Sequence, residues 1–169
     1  FLAPKGRCVT VVPIDDTYSQ MLLGDPGRRQ KALDLGDEVR RSIERCYFLA
    51  PERDGRFDVD GLIAFYVSGR RGRAAIGAAR VTAVGTFLLN DAQERFGRQG
   101  VLSEDEWVRR FQRHGAATCV SFAGYAPFPK EVPLDQLRLL DVDDGSSFVT
   151  ATRLDRTTSF SFLTAAYQR

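Results

Sequence analysis

The sequence predicts a β-rich α+β fold: a small, partly open β-barrel with helices on its rim. Three observations carry this. Five or so apolar runs rich in β-branched residues punctuate the chain without regular interleaving by helical patterns, whereas a doubly wound sheet needs a helical crossover between successive strands. The runs Gly61–Ser68 and Ala75–Phe87 are separated by only a few residues, which forces a hairpin. The 169 residues, 43% of them hydrophobic, suffice for one well-buried core and are short for two.

Taken in order, Cys8–Ile14 ("CVTVVPI") reads as a strand. Asp16 is placed to cap a helical turn through Leu22 and Leu23, ended by the breaker cluster Gly24-Asp25-Pro26-Gly27. Arg28–Arg45 spaces Leu35, Val39 and Ile43 by four, the pattern of one or two short surface helices interrupted at Gly36. Cys46–Ala50 is a second strand and Pro51–Asp60 a polar loop. Ser103, with Glu106 three residues on, is a capping box. It opens an amphipathic helix through Trp107, Val108 and Phe111 to His114-Gly115. Ala117–Ala123 reads as a strand, Pro133–Leu140 as a short helix with proline in its first turn, and Phe160–Tyr167 as a terminal helix.

The stretch "SGRRGRAAIGAARV" (68–81) has the glycine spacing of a phosphate-binding loop. A Walker loop, however, needs Lys followed by Ser or Thr directly after its second glycine, and Ala78-Ala79 stand there. The glycines do not follow the dinucleotide order either. The segment after Gly77 alternates as a strand does, so the stretch is a hairpin whose arginines reach outward from its turn. "DVDDG" at Asp141–Gly145 lacks the carboxylate spacing and closing glutamate of a calcium loop. His114, the single histidine, sits at a helix end as a cap or surface residue. No nucleophile motif accompanies it.

The net charge is only +2, but the basic residues are clustered: Arg28, Arg29 and Lys31 form one knot, and Arg70, Arg71 and Arg73 another. Arginine binds phosphate bidentately and stacks on bases. A GC-rich coding sequence accounts for the arginine bias equally well. Cys8, Cys46 and Cys119 lack the spacing of metal ligands, and their odd number speaks against a disulfide framework. They are expected as small buried hydrophobes of a reducing cytoplasm. No apolar stretch approaches a membrane span and no signal peptide is visible. The first residue is Phe1 and the one methionine is Met21. We therefore expect one domain (1–169) belonging to a longer cytoplasmic polypeptide, with no membrane partner, no metal and no cofactor.

Three segments together resemble the PUA-like superfamily, in its ASCH and EVE branches. "IDDTYSQMLLGD" (14–25) is similar to the first helix of these domains, near the position where ASCH chains carry G-x-K-x-x-E. "GLIAFYVSGRRGRAAIGAARVTAV" (61–84) is similar to their central hairpin, and "FPKEVPLDQLRLL" (128–140) to the late segment before the final helix. The resemblance implies a small β-pseudobarrel that binds RNA or DNA, in several branches by receiving a modified base at the barrel mouth. Some ASCH members act as ribonucleases or as amidohydrolases on an acylated cytidine. Here Asp25-Pro26 stand where that chemistry has its lysine and glutamate, and the single Trp107 does not make the tryptophan cage of the YTH branch.

The expectation is thus a non-catalytic module that binds nucleic acid or a nucleotide-like ligand. Arg70, Arg71, Arg73, Arg28, Arg29 and Lys31 would hold phosphates, while Tyr47, Tyr66 and Ser68 would receive a base. Two alternatives stand beside it: a small-molecule sensor or interaction domain that regulates an attached catalytic domain, and an ASCH-type amidohydrolase or ribonuclease.

Overall fold

A computed structural model describes residues 8–23, 44–68, 73–140 and 150–168. Within them lie six strands: β1 (Val9–Ile14), β2 (Glu44–Leu49), β3 (Leu62–Val67), β4 (Ala74–Leu88), β5 (Ala116–Pro133) and β6 (Thr152–Arg153). The helices are α1 (Asp16–Leu23), α2 (Leu89–Phe96), α3 (Glu104–Phe111), α4 (Leu134–Leu139) and α5 (Arg156–Tyr167). The strands form one mixed sheet in the order β2-β5-β4-β3-β1-β6, in which only β1 and β3 run parallel. The fold is α+β, as expected.

The hairpin is present. β3 and β4 pair antiparallel from Leu62↔Arg80 to Val67↔Ala74, and β4 runs through Gly77 as strand, with no helix after it. Gly77 has a packing reason to be glycine. A Cβ there would lie 2.6 Å from the Ala126 carbonyl oxygen and 2.6 Å from the Tyr125 hydroxyl. The turn itself, residues 69–72, lies outside the described residues, as do most of the stretch expected as helix at 28–45 and the loop at 141–145.

Elsewhere the structure corrects the expectation. β5 does not stop at Ala123 but continues through two prolines to Pro133. Gly124 adopts φ 67, and Ala78↔Ala126 gives way to Arg80↔Ala123, so β5 carries one extra residue there. That is a β-bulge, which bends a strand without ending it. Glu44 and Arg45, expected at a helix end, open β2. Helix α2 follows β4 directly and was not anticipated. Asp15, not Asp16, caps α1, its Oδ1 accepting from the Thr17 N–H at 2.9 Å. In α3 the capping box is present, with Glu106 Oε2 accepting from the Ser103 N–H at 3.1 Å, and Trp107 and Phe111 are buried. Val108 faces outward. Pro133 is the residue before α4, and α5 starts at Arg156 because the Asp155 carboxylate accepts from the Thr158 N–H at 2.8 Å.

The core divides by strand parity, because successive strand residues point to opposite faces. Val9, Val11, Leu62, Ala64 and Tyr66 face α5, where Phe162 and Ala166 fill the layer. Val12, Ile14, Ile63, Phe65 and Val67 face the other way, into a layer with Leu22, Leu23, Val120 and Phe122. A third group, Cys46, Phe48, Trp107, Phe111, Ala117 and Cys119, joins α2 and α3 to the β2–β5 end. Among the described residues the sheet is not closed by a backbone ladder, β2 and β6 being its edges. Side chains make the approach instead. The Tyr47 hydroxyl on β2 donates to the Pro13 carbonyl on β1, and Arg45 donates to the Leu22 carbonyl of α1.

Candidate functional site

Where β2 curls toward β1, the two strands leave a half-open cleft of about 80 Å³. Its lining comes from four separate parts of the chain: Pro13–Asp15 with Tyr18 and Leu22, Cys46–Phe48, Val101–Leu102, and Arg110. Each part is held for a local reason. Asp15 is the N-cap of α1, so its carboxylate is fixed at the turn out of β1 while Tyr18 is carried on the first turn of the helix. Phe48 is pinned against Trp107, ring centroids 4.6 Å apart. Trp107 and Phe111, one helical turn apart, anchor α3, and Arg110 between them is directed to the cleft, with its Cζ 5.1 Å from the centroid of the Tyr18 ring. That is cation–π distance.

The electrostatics follow from burial. The Tyr47 phenol is pushed well above its ordinary range by loss of solvent around its hydroxyl, against a smaller opposing pull from the Arg110 charge. It is therefore a neutral donor at any physiological pH, spent on Pro13, with oxygen lone pairs left to accept. Cys46 at the cleft floor, its thiol donating to the Tyr47 carbonyl at 3.8 Å, is pushed up by burial, while the neighbouring Cys119 is lowered by its side-chain interaction with Cys46. The three cysteines are free thiols, Cys46 and Cys119 buried and Cys8 half-buried, and among the described residues no group of three or more His, Cys, Asp or Glu could hold a metal ion. No helix among them is long and apolar enough to cross a membrane. The cleft thus offers an aromatic wall, an apolar floor, one carboxylate and one guanidinium. That set can stack and orient a planar polar ring. Among the described residues no lysine lines it.

Of the residues singled out in the sequence, Tyr47 lines this cleft. Tyr66 does not: it is 2% exposed and belongs to the layer beneath α5, on the opposite face from Phe65. Ser68 is exposed just past the end of β3, its N–H donating to the Ile14 carbonyl at 3.1 Å, and Arg73 is exposed just before β4. The structure does not bring Tyr47, Tyr66 and Ser68 together. Arg70, Arg71, Arg28, Arg29 and Lys31 lie outside the described residues. Asp15, Tyr18, Cys46 and Arg110 were not singled out as ligand contacts. The available signal for Arg110 was its position between the two aromatic anchors of a capped helix.

No protein-family model matches the chain, and no curated protein matches it. Solved structures do. ASCH from Zymomonas mobilis matches with a TM-score of 0.71 at 18% identity, over 95% of this chain and 96% of that one. Human THYN1, solved in complex with 5-methylcytosine-containing DNA, matches with a TM-score of 0.54 at 10% identity, over 96% of this chain and 98% of that one. A hypothetical protein from Leishmania major matches with a TM-score of 0.53 at 8% identity, over 94% and 93%. At such identities the likeness is one of fold, and that fold is the PUA-like one of ASCH domains.

Proposed function

We propose that the chain is one non-catalytic PUA-like module that binds nucleic acid, or a nucleotide-like ligand, with a base received in the cleft between Tyr18, Tyr47 and Arg110. The observation that carries this reading is the cation–π pair of Arg110 and Tyr18 in the cleft, 5.1 Å from guanidinium carbon to ring centroid, beside a half-buried tyrosine on β2. Aromatic and guanidinium planes are what unstacked bases bind against. The THYN1 structure supports the reading, since a protein of this fold was solved holding DNA with a modified pyrimidine. The basic residues Arg70, Arg71, Arg73, Arg28, Arg29 and Lys31 supply phosphate contacts in this proposal. Tyr66 takes no part in it, and Ser68 lies outside the cleft.

The test is binding of labelled single- and double-stranded oligonucleotides at low and moderate salt, with free nucleosides as competitors. Salt-dependent binding in the micromolar range, competed by nucleosides, is the expected outcome. No binding at low salt would remove the reading. A second reading, a small-molecule sensor, is favoured by the small size and apolar floor of the cleft. It predicts nucleoside-sized ligands bound with no salt dependence and no affinity for oligonucleotides.

A further inference from the structure

From the arrangement around α3 we infer that its C-terminal end is a phosphate-contacting surface, on which Arg110 and Arg113 hold the sugar–phosphate backbone of a strand whose base enters the cleft. The inference rests on the nucleic-acid reading above, but it places the backbone on a different element from the hairpin turn.

Charge is segregated along this helix. Glu104, Asp105 and Glu106 occupy its first turn, while Arg109, Arg110 and Arg113 come at its end. Glu106 lies 3.5 Å from Arg109 and takes up that charge. Among the described residues neither Arg110 nor Arg113 has a carboxylate at salt-bridge distance. Both are exposed; Arg110 is in the last turn of α3 and Arg113 stands three residues on, in the single 3-10 turn (Gln112–His114) that continues it. Their positions are rigidly set. Trp107 and Phe111 bury one side of α3 against Phe48, and Gly115 at φ 63 closes the turn that follows.

Among the described residues, both guanidinium groups also keep N–H donors for a ligand. Arg110 holds its Cζ 5.1 Å from the centroid of the Tyr18 ring, a contact that uses none of its N–H donors in a hydrogen bond. Arg113 directs its Nε–H to His114 Nε2 at 3.1 Å, and among the described residues its terminal N–H groups have no hydrogen-bond partner. One arginine at the cleft wall and a second just beyond it match successive phosphates of the backbone whose base enters the cleft. An isolated acidic side chain would satisfy one of them. A polyanion satisfies both.

The experiment is a salt titration of oligonucleotide binding for wild type, Arg110→Ala, Arg113→Ala and the double variant, with Arg156→Ala, on α5 at the far face, as control. Removing one arginine from a phosphate lowers the log–log salt slope by about 0.7 on single strands and about 0.9 on B-DNA. Each single variant should show that drop, the double variant about twice it, and Arg156→Ala none. Arg113→Lys should restore the slope, because it keeps the charge. Circular dichroism of each variant confirms the fold, and Arg113, which makes no packing contact with the cleft, keeps the test available should Arg110→Ala unfold. Wild-type binding that depends on salt, with both variants retaining the wild-type slope, overturns this inference and leaves the nucleic-acid reading standing. Absence of wild-type binding at low salt overturns both.

Discussion

Gly100 is where a single methyl group tests how the cleft wall is held. Its backbone is extended, φ −105 and ψ −173, a conformation open to any residue, so an alanine there carries no backbone strain. What it meets is the Phe48 ring. An added Cβ would overlap Cε2, with Cζ at 2.9 Å and Cδ2 at 3.1 Å. Phe48 cannot swing away freely, because it is 8% exposed and packed on Trp107 at 4.6 Å. Relieving the overlap therefore means overpacking, at about 1–3 kcal/mol, and part of that is the aromatic pair itself, worth about 0.5–1.5 kcal/mol. For a chain of this size the expected fall in Tm is about 2 to 12 °C.

Chemical unfolding of Gly100→Ala measures this loss. Gly55→Ala is the control, because a Cβ there meets nothing within 4 Å. The overlap also predicts coupling: Phe48→Leu removes the colliding ring atoms, so the double variant should be more stable than the sum of the single losses by about 0.5 kcal/mol or more. A Gly100→Ala protein within about 0.5 kcal/mol of wild type, or strictly additive losses, would refute the packing argument.

Further outcomes follow from the same geometry. Ser103→Ala should cost about 1 kcal/mol by removing the capping box that starts α3, read in urea unfolding, and should weaken ligand binding through the displaced Arg110. Tyr18→Ala should cost about 1–3 kcal/mol of oligonucleotide affinity while leaving the salt slope nearly unchanged, since a stacked ring releases no counterions. Burial raises the Tyr125 phenol to about 12, with the Glu131 charge adding to it, and pushes the Tyr47 phenol up as well. The folded state thus holds protons that the unfolded chain releases near 10, so stability is complete below pH 10 and falls as pH rises from there toward 12. Unfolding midpoints between about pH 9 and 12 should decline less steeply in Tyr125→Phe than in wild type. An unchanged pH slope would place that phenol in water.

The residues near one another in sequence carried much of the fold. The β3–β4 hairpin was legible because two β-rich runs sit too close together for any other connection, and the start of α3 because Ser103 and Glu106 satisfy each other's backbone across a single turn. Gly77 was legible as strand because the residues after it alternate and the chemistry of a phosphate loop is missing. What depended on contacts between distant segments was not legible. Every residue of β3 is buried, and a strand covered on both faces shows no polar alternation to say which way each side chain points. Phe65 and Tyr66 are therefore indistinguishable in sequence, yet one faces the layer of Tyr47 and the other lies under α5. β5 read as ending at Ala123, because Gly124 and the prolines after it are breaking signals unless a partner strand absorbs the bulge, and β4 does. The cleft required even more of the tertiary structure. Asp15 with Tyr18, Cys46 with Tyr47, Val101, and Arg110 come from four separate parts of the chain, and they converge only because the sheet curls until β2 reaches β1. Local propensity and capping specify elements one at a time. A site made of their ends exists only once the core has set the curvature between them.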